Sequence, residues 1–102
     1  MKLLTKEIEQ KFAEVGSQEQ LPDSKKKVIA KFFDPTGFYT WYALEYDPKY
    51  KEFFGYVKGQ FSEYGYFGLE ELEAIQLQWG LGIERDINFG YDVTMEEVKA
   101  VS

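Results

Sequence analysis

Two chemically reactive residue types are missing from this chain, which contains no cysteine and no histidine. Their absence excludes thiol nucleophiles, disulfides, zinc sites built on Cys or His, and acid–base catalysis by imidazole. Any catalysis would therefore depend on carboxylates, on Lys, Tyr, Ser or Thr side chains, or on a metal ion held by oxygen atoms.

Long apolar runs are also missing. The opening MKLLTKEIEQKF has only two consecutive leucines before polar residues follow, whereas a secretory signal has about 7–15 apolar residues. No segment approaches the roughly 20 apolar residues that a membrane helix needs. We therefore expect a soluble, cytoplasmic protein that makes no contact with a membrane.

Positive charge is scarce in the second half of the chain. The formal net charge is −6, and residues 59–102 contain two basic residues against nine acidic ones. A surface that binds duplex nucleic acid needs several Lys or Arg side chains to neutralise phosphates. The charge distribution therefore argues against a duplex partner and is better suited to a basic protein partner.

Aromatic residues, in contrast, are abundant: 19 of the 102 residues are Phe, Tyr or Trp. Five of these rings fall within FYTWYALEYDP, residues 38 to 48. A chain of this length fits a single domain, here 1–102, with one modest core. Each ring buries about 150–250 Å², so a few of them can supply that core, and we expect most of the stretch 38–48 to belong to it.

The apolar spacing and capping residues predict two or three helices. Apolar residues recur at three- and four-residue intervals over residues 5–15, and Thr5 is a favoured N-cap residue. A second helix is expected to begin near Leu69, with glutamates in its first turns, and to end at WGLG. Thr94 and Glu97 have the spacing of a capping box, which predicts a short helix near the end of the chain.

Four short segments have the composition of strands, and tight turns follow the first two: KKVIAKFF, FYTWYALEYDP, FFGYVKG and IERDINF. Short connections join antiparallel neighbours. The expected fold is therefore α+β, with an antiparallel sheet of about four strands and two or three helices packed mainly on one face. The fourth strand is expected at a sheet edge.

The second of these strands is apolar on both sides. Because side chains alternate along a strand, one face is predicted to carry Phe38, Thr40, Tyr42, Leu44 and Tyr46. The opposite face is predicted to carry Tyr39, Trp41, Ala43 and Glu45. This pattern is typical of a central strand that is either covered on both faces or leaves one aromatic face for a partner.

Four carboxylates are the candidates for catalysis. Glu45 and Asp47 lie two residues apart at the end of the second strand, and Glu84 and Asp86 repeat that spacing on the fourth. If the two strand ends meet, these oxygens are suitable ligands for Mg²⁺ in a nuclease that acts on single-stranded DNA. The alternative is that they are surface carboxylates in turns and ion pairs. No other cofactor is expected.

A second set of candidates suits a binding function. An exposed aromatic sheet face can stack single-stranded bases, and the residues that would participate are Tyr39, Trp41, Phe53 and Tyr56. Arg85, the single arginine, is a further candidate for binding. Only a few lysines lie near these rings in the sequence, so single-stranded nucleic acid remains an open alternative rather than the favoured partner.

Several stretches together resemble a known family. They are MKLLTKEIEQKF, KFFDPTG, TWYALEYDP, FFGYV, YGYFGLEELE and GLGIERDINF, in this order over nearly the whole chain. This combination is similar to the bacterial domain-of-unknown-function family 2958. The resemblance implies a small bacterial protein, often encoded on plasmids, phages or conjugative elements. Some relatives are labelled single-stranded DNA endonucleases, but the family supplies no catalytic residues to transfer.

The favoured functional hypothesis follows by elimination. We expect a non-catalytic protein-interaction or regulatory module with a protein partner that the sequence does not identify. The alternatives are the metal-dependent nuclease and the single-strand binder described above.

Overall fold

The computed structural model describes residues 2–90 and 92–101. Three α-helices lie within this range: α1 at Lys6–Val15, α2 at Leu69–Ala74 and α3 at Met95–Ala100. A short 3-10 turn covers Gln78–Gly80. The strands are β1 at Ala30–Phe33, β2 at Thr40–Asp47, β3 at Glu52–Lys58, β4 at Glu63–Gly68 and β5 at Glu84–Arg85.

The strands form one antiparallel sheet in the order β4-β3-β2-β1-β5. The α+β prediction is confirmed, with five strands rather than about four. The additional strand is β4, whose sequence EYGYFG resembles a glycine-bearing link because Gly65 and Gly68 interrupt it. Its strand conformation depends on pairing with β3. Local sequence patterns do not reveal such pairing, because strand formation depends strongly on the neighbouring strand.

Helices lie on both faces of the sheet, two on one and the third on the other. On the face that we call the α1 face, Ile8 and Phe12 of α1 and Leu72 of α2 pack into the larger core. On the opposite face, the α3 face, Met95 and Val98 of α3 form a smaller core. The expected packing mainly on one face is therefore confirmed, and the doubly apolar β2 is the central strand.

A β-bulge between Ala43 and Glu45 changes the predicted alternation of β2. Ala43 pairs with Gly55, whereas Glu45 pairs with Phe54 and Tyr46 with Phe53. The extra residue reverses the phase of the strand after Ala43. The predicted positions of Tyr46 and Glu45 are therefore wrong: Tyr46 packs on the α1 face, and Glu45 lies on the α3 face.

A buried glutamine connects the bulge to the loop that follows α1. Gln18 is almost completely buried, and its side-chain amide donates to the carbonyl oxygens of Lys27 and Leu44 at 2.8 Å each. Its Oε1 accepts from the N–H of Lys27 at 2.7 Å. The side chain thus supplies the hydrogen bonds that a neighbouring strand would otherwise provide.

The helix ends are partly as expected. Thr5 caps α1, and Thr94 and Glu97 form the predicted capping box of α3. Helix α2 begins at Leu69 but ends at Ala74, well before WGLG. The residues from 75 to 83 instead form an extended loop with the 3-10 turn inside it. No helix among the described residues has the length and apolar character needed to cross a membrane.

Candidate functional site

Three loops converge at one end of the sheet. The last residue of β1, Phe33, pairs with Thr40 of β2 and Glu84 of β5, and Thr40 in turn pairs with Lys58 of β3. The loops 34–39, 59–62 and 75–83 therefore adjoin the same end. Packing confirms the contact between two of them, since a Cβ atom at Gly59 would lie 2.4 Å from the Tyr39 ring.

This end of the sheet carries a concentration of exposed apolar side chains. We call it the apolar end and define it by the exposed large hydrophobic residues of the three loops: Phe38, Tyr39, Phe61, Ile75, Trp79 and Leu81. Isolated exposed hydrophobic residues are ordinary on protein surfaces, but groups of them mark interaction sites. The grouping comes from loops distant in sequence and is produced by the antiparallel topology.

An apolar groove of about 350 Å³ opens on the α1 face beside these loops. Within it the rings of Tyr39 and Trp41 are stacked, with centroids 6.0 Å apart and planes inclined by 29°. We call it the aromatic groove, and the residues that line it are Asp34, Tyr39, Trp41, Val57, Ile75, Leu77 and Ile83. Its chemistry is that of a small apolar site with one carboxylate.

Trp79 lies at the tip of the 75–83 loop in an unusual backbone conformation. Its φ and ψ angles are 59° and 28°, in the left-handed region that bulky residues seldom adopt. The side chain is 88% exposed. Because such strain concentrates at functional positions, Trp79 is a functional candidate. Sequence reasoning treated WGLG only as a helix end, although a tryptophan directly before a Gly-x-Gly segment was an available signal.

Asp34 is the charged residue of the aromatic groove. It is only 6% exposed, and its Oδ1 accepts hydrogen bonds from the N–H and hydroxyl of Thr36 at 2.7 and 2.6 Å. The N–H of Gly37 donates to its carbonyl oxygen at 2.8 Å, which closes the turn expected from DPTG. The turn thus fixes a carboxylate at the wall of an apolar groove.

The four carboxylates expected at a metal site are not brought together. Glu45 accepts hydrogen bonds from the backbone of Gln18 and Glu19, at 2.8 and 2.9 Å, and Asp47 accepts one from Lys49 at 2.9 Å. Both lie on β2, and β1 separates this strand from β5, which carries the other pair.

In the second carboxylate pair, the Asp86 side chain is also engaged in local contacts. Asp86 accepts from the backbone of Asn88 at 3.0 Å and lies 3.7 Å from the Lys31 ammonium, while Glu84 pairs with Phe33 in the ladder. Across residues 2–90 and 92–101, no three carboxylates are grouped as metal ligands. The juxtaposition that the magnesium hypothesis required is therefore not formed.

The predicted aromatic residues divide among three locations. Tyr39 and Trp41 line the aromatic groove. Phe53 is 0% exposed in the larger core, and Tyr56 packs against the smaller core on the α3 face. Phe53 and Tyr56 face opposite cores because they lie three residues apart on β3, where side chains alternate between the two faces. The four rings consequently do not make one stacking platform.

Arg85 has a structural contact that the sequence did not suggest. Its guanidinium Nη1 donates to the carbonyl oxygens of Lys2 and Leu3 at 2.8 and 3.0 Å. The contact ties the segment before α1 to the edge strand β5.

Comparison with known proteins identifies the family of this chain. A family model described as a protein of unknown function, DUF2958, matches residues 3–100. The chain belongs to the DUF2958 family. No curated protein and no solved structure matches it.

In this DUF2958 protein a charged cluster anchors α3 to the sheet. Lys99 lies 2.7 Å from Asp23 and 4.5 Å from the centre of the Tyr64 ring. Two hydrogen bonds lower the pKa of Asp23: the one from Lys99 has the larger effect, and the one from the Tyr64 hydroxyl has the smaller. Burial, aided by the hydrogen bond to Asp23, raises the pKa of Tyr64 to about 12. The cluster has satisfied partners and is accounted for by packing.

Proposed function

We propose that this protein is a non-catalytic interaction module that binds a partner protein through the apolar end. The observation that carries the proposal is Trp79, which is 88% exposed in a strained backbone conformation, within a loop whose Ile75, Leu77 and Ile83 line the aromatic groove. Tryptophan is the residue type most enriched among the side chains that dominate binding energy at interfaces. Nothing in the loop buries this ring in the free protein.

The loop geometry supports a presenting role for Trp79. The N–H of Leu77 donates to the carbonyl oxygen of Leu81 at 2.7 Å, and Gly80 follows Trp79 with a φ of 74°. Two successive residues in the left-handed region produce a tight reversal, and the Trp79 side chain within it is exposed. A loop closed in this way loses little conformational freedom when it binds, which favours affinity.

The placement of positive charge favours a protein over a single-stranded nucleic acid. Lys58 pairs with Thr40 and therefore lies on the opposite face of β3 from Val57, a residue of the groove. Lys49 and Lys51 lie in and beside the turn at the far end of β2 and β3. The groove itself holds the carboxylate of Asp34, which would repel a phosphate backbone.

The roles of the four candidate carboxylates support the non-catalytic part of the proposal. Three of them accept backbone hydrogen bonds in turns or loops, and the two pairs lie on strands that are not neighbours. The family resemblance supports a bacterial setting linked to mobile genetic elements, and the lack of long apolar runs supports a cytoplasmic one.

Affinity capture from cells of the source organism tests the proposal. We expect the wild-type chain to retain a specific protein, Trp79→Ala to lose it at least tenfold, and Tyr50→Ala to retain it. Tyr50 is the matched control because it is also an exposed aromatic residue, but lies in the turn at the opposite end of the sheet. Equal retention by Trp79→Ala and the wild type would refute the proposed surface.

A further inference from the structure

We propose that the aromatic groove binds the cationic head of a lysine or arginine side chain contributed by the partner protein. This inference rests on the proposed function and specifies the chemistry that the partner must present. The proposed ligand of the aromatic groove is a positively charged group on an aliphatic stem, and Asp34 is its counter-ion.

The state of the Asp34 carboxylate is the first support. Thr36 donates two hydrogen bonds to Oδ1, but no residue in 2–90 or 92–101 donates to Oδ2 or forms an ion pair with this side chain. The side chain is 6% exposed, and no buried side-chain oxygen of the described residues lacks a hydrogen-bond partner, so Oδ2 reaches solvent and is accessible to a cationic partner. A cation entering the groove would supply that partner.

The aromatic rings beside Asp34 are the second support. Tyr39 and Trp41 stack in the same groove, and since Tyr39 is 42% exposed and Trp41 only 9%, the Tyr39 ring offers most of the surface open to an incoming group. Ammonium and guanidinium groups are attracted to such faces within about 6 Å of the ring centre, and tryptophan is the strongest of the three rings. A carboxylate and two aromatic rings around one space form a site that prefers a cation to a neutral group of the same shape.

The remaining walls suit the stem of a basic side chain. Val57, Ile75, Leu77 and Ile83 line the groove with aliphatic surface. Lysine and arginine bury their methylene stems on such surface while the charged head reaches a polar group. The aliphatic walls thus distinguish a basic side chain from a small inorganic cation.

Charge around the groove agrees with a cationic occupant. Its lining contains no Lys or Arg, and Glu63 pairs with Val57, so both project on the α1 face. The chain as a whole carries a net charge of −6. A basic segment would therefore be attracted both at long range and at the groove.

The surroundings of the groove favour a side chain of a protein over a free amine. The groove is open and adjoins exposed Phe38 and the loop of Trp79, which extend the apolar surface beyond the volume of one side chain. A partner that places a basic residue in the groove can cover these rings at the same time.

The test is an NMR titration of the full chain with hexylammonium, which reproduces a basic head on an apolar stem, and with hexanol, its neutral counterpart. We expect saturable shifts at the Trp41 indole and the Tyr39 amide. Hexylammonium should bind about tenfold more tightly, as one charge-assisted contact would give. Asp34→Asn should remove this preference while leaving hexanol binding unchanged, and Asp47→Asn, an exposed carboxylate at the other end of β2, should leave both unchanged.

Two features keep the test decisive. Asn at position 34 retains an oxygen that can accept the Thr36 hydrogen bonds, so the turn should persist, and Tyr39→Leu offers a second variant that removes one ring but keeps the groove apolar. Tyr39→Leu should lower the preference for hexylammonium over hexanol.

Equal binding of the two probes, or shifts of the same size in Asp34→Asn and the wild type, would overturn the inference.

A second titration, with a peptide, tests the source of the cation. An acetylated Leu-Lys-Leu amide should bind more tightly than hexylammonium and lose this advantage in Trp79→Ala, whereas a peptide weaker than the free amine would overturn the assignment to a protein side chain. None of these results depends on the capture experiment, so the cation inference can fail while the interaction surface stands.

Discussion

The N–H of Leu77 donates a hydrogen bond to the carbonyl oxygen of Leu81 at 2.7 Å, and this contact closes the loop that exposes Trp79. The two leucines are the ends of a five-residue reversal in which Trp79 and Gly80 both have positive φ. The closure makes the exposed ring a fixed feature of the surface, because the loop ends are held by the backbone itself.

Trp79→Gly should stabilise the folded protein and abolish binding. Glycine adopts the left-handed region without the steric cost of a side chain, so we expect the free energy of unfolding to rise by about 1 kcal/mol. Urea unfolding followed by circular dichroism measures the change. Gly80→Ala, which places a side chain at the neighbouring φ of 74°, should destabilise instead, and a loss of stability in Trp79→Gly would contradict the account of strain.

Gly55→Ala should be among the most damaging single substitutions in the sheet. A Cβ atom at this position would lie 2.1 Å from the carbonyl oxygen of Tyr42, opposite the bulge, where backbone atoms cannot easily withdraw. We expect a loss of more than about 3 kcal/mol or failure to fold, the range for forced overpacking and backbone strain. Thermal unfolding provides the measurement.

Gly65 is the matched control for Gly55, since the two residues pair with each other and a Cβ at Gly65 meets nothing within 4 Å. Gly65→Ala should change the stability by less than about 1 kcal/mol, because it only exchanges one small strand residue for another. Similar effects of the two substitutions would show that the close approach at Gly55 is not the cause.

Gln18→Ala should cost about 3 kcal/mol, because it leaves the part-buried N–H of Lys27 and the buried carbonyl oxygen of Leu44 without their partner and opens a cavity. Gln20→Ala, an exposed glutamine in the same loop, should change the free energy of unfolding by less than about 0.5 kcal/mol. Urea unfolding at neutral pH compares the two. A small effect of Gln18→Ala would mean that water replaces these bonds without loss.

Acid should release α3 from the sheet through Asp23. The hydrogen bonds from Lys99 and Tyr64 lower the pKa of Asp23 from its ordinary 3.8, so its contribution to stability is complete above that value. It is lost as the pH falls through the lowered pKa in the folded state. Asp23→Asn should therefore destabilise the protein at pH 6, and the difference from the wild type should shrink as the pH falls below 3.8 and through the lowered pKa. A constant difference over this range would exclude the linkage.

The parts of the fold that sequence predicts are those fixed by local chemistry. Thr5 and the Thr94–Glu97 box cap helices because their side chains bond to nearby backbone groups, and β2 is central because it is apolar on both faces. The bulge at Ala43, the strand β4 and the early end of α2 depend on contacts distant in sequence. The one-residue bulge places Tyr46 on the α1 face, opposite to the face predicted from simple alternation.

The candidate site was predictable only in part, for the same reason. Tyr39 and Trp41 were identified as candidates because they lie in an aromatic-rich stretch of the sequence, and both line the groove. Asp34 comes from the 34–39 loop, whereas Trp79 and Ile83 come from the 75–83 loop, and only the pairing of β1 with β2 and β5 places these two loops at one end. Phe53 was an equally good candidate by sequence, but its position opposite Tyr46 buries it in the core.

Site-specific photo-cross-linking in cells of the source organism tests the interaction surface most directly. Phe38 and Tyr50 are both exposed aromatic residues and lie in turns at opposite ends of the sheet, so p-benzoylphenylalanine can replace either with little effect on folding. The account predicts a discrete adduct with one protein from position 38, its loss when Trp79→Ala is combined with the probe, and no such adduct from position 50. Adducts from position 50 alone, or a position-38 adduct that persists in Trp79→Ala, would contradict it.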